Sequence, residues 1–401
     1  MKPVDIHPIL NPRPFPHFIK YMGSKSKILG FVLEGINEVY EGGVICDLFA
    51  GSASLAGVIG DQASLHSNDI QNYSAVLAKA YLSSYQYEGM PTLEELIKAA
   101  ETIVEKNKAE AGINFSYHSV QNLSEFQQIE AQQLAFINCS FSRDWHLFFK
   151  YYSGTWWSAE QCLWIDALRQ VAEGYVATPS YELILAVLMY AMAYTSQGTG
   201  HYAQYRDATT ESSMKDILLY RKRSVKSYFE KKWTSIKEFV PSGPPVHAHR
   251  FSSLDFEECL NQLTEGGTVY ADPPYCFVHY SRFYHALETL VLYDYPAIQM
   301  KDERYVKGRY RVGRHQSPFS IKSQVRSSFE ALFKGVMKSN SNLVLSYSKT
   351  GLIDIDELGE IALQQCPDRR IQLLTTDHQH MTLGRKNDRH REVQECLLLI
   401  Q

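Results

Sequence analysis

The sequence predicts an α/β protein: an open, mostly parallel sheet built in two halves, with a mostly helical segment inserted between them. Three observations carry that prediction. A short apolar strand at 43–48 runs into a turn of small residues that opens a helix. A second apolar strand, Thr268–Ala271, ends in Asp272-Pro273-Pro274-Tyr275. Between them, residues 71–240 show apolar residues at helical spacing and few β-branched clusters. The chain has 401 residues, 45% hydrophobic and 21% charged, which is an ordinary globular composition with room for two or three domains. The expected division is 1–70, 71–244 and 245–401.

Taken in order, residues 1–17 are proline-rich and of mixed polarity, and do not read as a signal peptide. Phe18-Ile19-Lys20-Tyr21-Met22-Gly23-Ser24-Lys25 then precedes an amphipathic helix from Lys27 to Glu38. A glycine- and lysine-bearing loop that opens a helix can hold an anion, because backbone N–H groups and the helix dipole add to the lysine charge. The strand Gly43–Leu48 carries Asp47 and leads into Phe49-Ala50-Gly51-Ser52-Ala53, the pattern of a first nucleotide-binding β-turn-α unit. About twenty residues on, Asp69 follows another short strand, Ala63–His66, where a ribose diol is usually held.

In the helical segment, helical spacing covers 76–108, 121–138, 159–172 and 181–194. Leu183–Tyr194 is its longest apolar run, too short to span a bilayer. Two stretches suit nucleic acid. The loop from Tyr194 to Asp207 contains His201 and Arg206, and Lys215–Lys237 interleaves Arg221, Lys222, Arg223, Lys226, Lys231 and Lys232 with aromatics. A solvated helix face would read the same way.

After a linker at 241–249, Ala248–Leu254 reads as a strand with Asp255 at its tip. The Asp272–Tyr275 corner follows, where two prolines stiffen an extended exit. A carboxylate, a carbonyl and an aromatic ring held there could grip a flat heterocycle by an exocyclic amine. Tyr280 and a helix His285–Tyr293 come next. Residues 301–315 then form a basic patch that includes Lys307, Arg309 and Arg311 against only Asp302 and Glu303. A helix Ser323–Ser339 and a strand Asn342–Ser346 lead to two tail strands, Arg370–Thr375 and Val393–Ile400. They flank a basic loop, His378–Arg391, that includes Arg385, and predict an antiparallel hairpin closing the sheet.

The net charge is −4, so any nucleic-acid surface must be local. The seven cysteines form no Cys-x-x-Cys pair, which argues against a disulfide framework or a zinc site and fits a reducing cytoplasm. No metal site is expected.

In this order, Lys-x-x-Gly-x-Lys at 20–25, Phe-x-Gly at 49–51, Asp69, a helical insert and Asp272-Pro273-Pro274-Tyr275 resemble the Dam-like, α-group adenine-N6 DNA methyltransferases. The resemblance covers roughly 18–72 and 246–400. It implies a Rossmann-like class I methyltransferase sheet with a C-terminal antiparallel hairpin, and an inserted helical target-recognition domain. It also implies S-adenosylmethionine as cofactor, held by Tyr21, Gly23, Lys25, Asp47, Phe49, Gly51, Asp69, Asp255 and Asp272. Asp272 and the Pro273 carbonyl would accept from the amine of a flipped adenine, with Pro274 stiffening the corner and Tyr275 stacking on the base. His201, Arg206, Arg221, Arg223, Lys226, Tyr280, Lys307, Arg309, Arg311 and Arg385 are the expected DNA contacts. Double-stranded DNA is the implied partner, and a restriction endonuclease or defence-system protein would be a separate chain. The implied setting is a prokaryotic or phage-encoded cytoplasmic enzyme.

One departure stands out: the family's Phe-x-Gly-x-Gly turn is Phe-x-Gly-x-Ala here. Alanine calls for a negative φ, so the turn is expected to be slightly retuned. Cytosine-N4 or RNA-adenine transfer, and an inactive DNA- or cofactor-binding scaffold, are the alternatives the same residues allow.

Overall fold

The computed structural model describes the chain except for residues 1–8, 84–88, 138–143, 199, 237, 240–242, 264–265, 276, 278, 349–350 and 382–389. Its first strands are β1 (Val44–Asp47), β2 (Ser64–Asn68), β3 (Arg250–Ser252) and β4 (Gly267–Ala271). A small separate hairpin, β5 (Met300–Lys301) with β6 (Arg304–Tyr305), precedes β7 (Ser341–Ser348), β8 (Ile371–Met381) and β9 (His390–Ile400). The main sheet has the order β3-β2-β1-β4-β7-β9-β8. β3, β2, β1, β4 and β7 pair in parallel, while β9 pairs antiparallel with both β7 and β8. The closing hairpin is longer than the sequence suggested. Its ladder runs out to Met381↔His390, so both ends of the stretch expected to be loop, 378–381 and 390–391, are strand, and Arg385 lies outside the described residues.

Alternation along the strands dictates two covered faces. Ile45, Tyr270, Val344 and Leu397 belong to one buried cluster. Their neighbours Cys46, Val269, Ala271, Leu343, Leu345 and Leu398 belong to another. A period of two sends successive side chains to opposite faces, and a parallel sheet needs apolar cover on both. α1 (Leu29–Val39), α2 (Ser54–Ile59) and α3 (Asn72–Leu82) contribute to the first cluster.

The segment between β2 and β3 holds α4 (Leu93–Ala111), α5 (Leu123–Leu134), α6 (Leu147–Tyr152), α7 (Ala159–Glu173), α8 (Ser180–Thr195), α9 (Glu211–Arg221) and α10 (Val225–Ile236). α4 and α7 each start with a capping box, Thr92 with Glu95 and Ser158 with Gln161, which satisfies otherwise orphaned first-turn N–H groups. α8 is apolar along most of its surface and buries twelve of its sixteen residues. Leu185, Trp157 and Phe148 share one continuous buried cluster with Ile45 and Tyr270 of the sheet. α11 (Phe256–Asn261), α12 (Tyr280–Phe283), α13 (His285–Leu292), α14 (Val325–Lys338) and α15 (Ile355–Gln365) complete the described helices. α11, α14 and α15 cover the second face.

Among the described residues, no helix is long and apolar enough to cross a membrane.

Candidate active site

The carboxyl ends of the parallel strands supply the site. Asp47 ends β1, Asp69 follows β2, Asp255 follows β3 and Asp272 follows β4. In open α/β sheets this edge is where ligands bind. A single open cleft of about 1190 Å³, counting its mouth, is lined by Tyr21, Gly23, Lys25, Asp47, Phe49, Gly51, Asp69, Asp255, Asp272, Pro273, Pro274, Tyr275 and Tyr280. Every residue expected around the cofactor or at the reacting corner therefore faces one space.

The turn after β1 is built around glycine. Gly51 has φ +53°, and a Cβ there would meet the Tyr21 hydroxyl at 2.8 Å. Its N–H donates to Asp69 Oδ2 at 2.9 Å, and Gln71 N–H donates to Oδ1 at 2.8 Å. Asp69 thus fixes the turn while each oxygen keeps acceptor capacity. Burial pushes its carboxyl up to about 6, against the pull of those two amides. Ala53 does not keep the negative φ expected of it: it sits at φ 54°, ψ 31°, in the left-handed region. The turn geometry overrides the alanine, at a cost of roughly 1–2 kcal/mol.

Asp47 is 2% exposed, and its Oδ1 has no hydrogen-bond partner in the protein. Burial, with Asp272 and Asp69 nearby, pushes its carboxyl well above the usual range. Asn68 was missed in the sequence. Its amide donates to the Leu48 and Leu254 carbonyls, and its oxygen accepts from Ser252 Oγ and Leu254 N. One side chain thereby ties together the loops that carry Phe49 and Asp255. The Asp255 carboxylate caps α11 by accepting from Glu257 N–H at 3.0 Å.

At the other end of the cleft, Lys25 lies 3.3 Å from Asp272 Oδ1 and 3.0 Å from Glu395 Oε2. Burial alone would lower its pKa, but Asp272 and Glu395 outweigh it and raise the value. Lys25 therefore does not serve a bound anion, as the loop alone suggested; its charge is spent on two carboxylates. Lys20 instead lies over the Tyr194 ring, 4.2 Å from the centroid. Burial raises the Asp272 carboxyl to about 6, with Lys25 opposing and Glu395 adding to the rise. Tyr275 packs edge-on against Tyr347, with Lys25 Nζ 5.2 Å from its ring centroid. Tyr21, Tyr280 and Tyr284 form a three-ring cluster, with Tyr21 4.6 Å from Tyr284 and 5.6 Å from Tyr280 and those two 6.4 Å apart.

Several expected DNA contacts are placed differently. Arg221 has a fully buried side chain, donates to both Glu130 oxygens and to the Thr155 carbonyl, and so cannot reach a phosphate. Lys232 is buried too, with its pKa drawn down to about 8 by desolvation. Arg309 is 8% exposed and lies over the Tyr305 ring. Arg311 pairs with both oxygens of Asp294. The patch at 301–315 is less positive than its local count, because Asp294 and Asp207 arrive from outside it. Arg206 pairs with Asp216, Lys226 with Glu101 and Lys307 with Asp207, all partly exposed. Arg223 donates to the Tyr194 carbonyl, and His201 packs on Phe283.

Cys46, His66 and Cys259 bring potential ligand atoms within 4.8 Å of one another. The two thiols are 3.9 Å apart. Their contact and burial push the Cys46 thiol well up, while burial draws His66 down to about 4. All three side chains are buried, and His66 Nε2 lies 2.8 Å from Ser252 Oγ.

The family described as D12 class N6 adenine-specific DNA methyltransferase matches residues 21–358. The chain belongs to this family. Modification methylase LlaI of Lactococcus lactis subsp. lactis is 24% identical over 90% of this chain. Type II methyltransferase M.FokI of Planomicrobium okeanokoites is 24% identical over 86%. The chain spans about half the length of these two relatives, 51% and 46% respectively. Type II methyltransferase M.NlaIII of Neisseria lactamica is 23% identical over 86% of this chain and 87% of its own length. The D12 match embraces the turn at Gly51, the helical segment and the Asp272 corner alike, and stops before β8 and β9.

Proposed function

We propose that this D12-family chain transfers a methyl group from S-adenosylmethionine to the N6 amine of adenine in double-stranded DNA. The observation that carries the reading is Asp272, at the end of β4, opening onto the same cleft as Asp47, Gly51 and Asp69. The relatives' names, modification methylase and type II methyltransferase, support a DNA-modification role.

The cofactor residues fit. Asp47 presents a buried, unpartnered acceptor, which suits the ammonium of a methionine moiety. The Gly51 turn leaves no room for a side chain, so backbone forms that wall of the cleft. Asp69 has acceptor capacity for a ribose diol, and Asp255 with Phe256 lines the purine end. When bound, S-adenosylmethionine supplies an already activated methyl sulfonium.

The protein's remaining task is to position and polarise the amine. An adenine amine is a poor nucleophile because its lone pair is delocalised into the ring. Asp272 and the Pro273 carbonyl, as two acceptors, favour the pyramidal form. Asp272 takes the proton after transfer. The base must leave the duplex stack at a cost of a few kcal/mol. Stacking on Tyr275 returns about 1–3 kcal/mol. Residues 71–244 supply target recognition. Arg206, Lys226 and Lys307 hold weak surface pairings that can be exchanged for phosphates, and Tyr280 lines the cleft.

Asp272 must be ionised to accept. Its carboxyl is pushed up to about 6, so activity is lost as pH falls through that value. Transfer of labelled methyl to duplex DNA is expected to be level above about pH 7. Below about pH 6 it should drop close to tenfold per unit, the slope of a single ionisation. Transfer that stays level down to about pH 4 contradicts an ionised Asp272 acceptor.

A further inference from the structure

We propose that Glu395, on β9, is a positioning residue for the transfer: it seats the Lys25 ammonium against Asp272 and so sets the charge around the reacting corner. The proposal rests on reading the cleft as a methyltransferase site.

Glu395 is fully buried, in a strand otherwise apolar at that end. Burying a carboxylate costs several kcal/mol even after relaxation, so its place needs a cation. Lys25 is that cation, at 3.0 Å from Oε2, and the same ammonium lies 3.3 Å from Asp272 Oδ1. The other oxygen, Oε1, has no hydrogen-bond partner in the protein. One positive charge therefore serves two carboxylates, and a net negative charge remains at the corner.

The strand order explains how the contact arises. β7 lies between β4 and β9, with Ser348 opposite Glu395 at the end of the ladder. Lys25 comes from the N-terminal loop and reaches both outer strands. A rigid β9 thus fixes where the flexible lysine stem places its charge. Without Glu395, only Asp272 would hold the ammonium, in a closer and more exclusive pairing. That would compete with the amine Asp272 has to accept.

The charged and titratable groups facing Asp272 are few. They are Lys25 from the N-terminal loop, Asp47 from β1, Tyr270 from β4 and Glu395 from β9. Of these, Lys25 favours the ionised form of Asp272, while Glu395 opposes it. Removing the Glu395 charge must therefore move the acid limb of activity toward lower pH.

The test is the pH profile of labelled-methyl transfer by the full chain carrying Glu395→Gln, an isosteric change. The acid limb is expected to shift down by on the order of one pH unit. The rate at pH 8 should fall by about tenfold or more, with cofactor affinity by calorimetry unchanged. A purely structural glutamate would lower the yield of folded protein without moving the limb. Should Glu395→Gln not fold, Lys25→Met and Lys25→Met/Glu395→Gln are compared instead, since the double change leaves no unpaired buried partner. The double variant's limb is expected below that of the single one. Coinciding limbs, in either comparison, overturn the proposal while wild-type transfer still stands. Absence of wild-type transfer at every pH removes the underlying reading instead.

Discussion

Asp272→Ala is expected to lower methyl transfer by about a thousandfold while leaving the fold and cofactor affinity in place. The loss is large because Asp272 acts on the reacting amine itself, and removing one preorganised group of that kind typically costs about 10²–10³ in rate. The fold survives because Lys25 is not abandoned: Glu395 still holds it at 3.0 Å. The truncated side chain is also at the cleft edge, with 18% of its surface exposed, so little cavity is created. Single-turnover transfer of labelled methyl measures the first effect, and calorimetric titration with cofactor the second. Transfer within about tenfold of wild type would remove Asp272 from the chemistry. A large loss of cofactor affinity would make it chiefly a binding residue.

Lys25→Met is expected to carry the largest stability cost. It leaves Glu395 buried without its cation, and breaking a buried pair by removing one partner costs about 3–5 kcal/mol. It also leaves two carboxylates facing one another with nothing between them. The sign with pH follows from that arrangement. Without Lys25, which favours the ionised form, Asp272 binds its proton more tightly in the folded state than in the unfolded chain. The stability deficit is therefore greatest above about pH 7, and shrinks as pH falls toward the ordinary carboxylate range. Denaturant unfolding at pH 8 and pH 5 checks both the size and the sign. A variant as stable as wild type at pH 8 would show that the Lys25 pair holds nothing together.

The parallel half of the sheet was legible because each strand and its functional tip are contiguous in sequence. Asp47 and Asp272 close short apolar runs, and Asp69 and Asp255 come within a few residues of a short strand, so each carries a local signal. What escaped was carried by long-range contact. Glu395 pairs with a residue 370 positions away, so its only trace was an acidic residue on an inward-facing position of β9. Asn68 carried no local signal, since its role appears only where β1, β2 and β3 come together around it. α15 was missed although Asp354 caps it and Leu358, Ile361 and Ala362 are buried at helical spacing. The basic stretches misled for a related reason. Composition counts charges along the chain, whereas Arg221 and Arg311 are neutralised by Glu130 and Asp294 across the fold. At Ala53 residue preference gave way to the turn, which needs a left-handed residue whatever stands there.

The proposed activity is methylation of the exocyclic amine of adenine at the Asp272 corner. Enzymatic digestion of duplex DNA incubated with the chain and methyl-labelled S-adenosylmethionine, followed by separation of the nucleosides, tests it most directly. All label is expected in N6-methyldeoxyadenosine. Label in N4-methyldeoxycytidine, or unlabelled DNA beside a cofactor-bound protein, would contradict it.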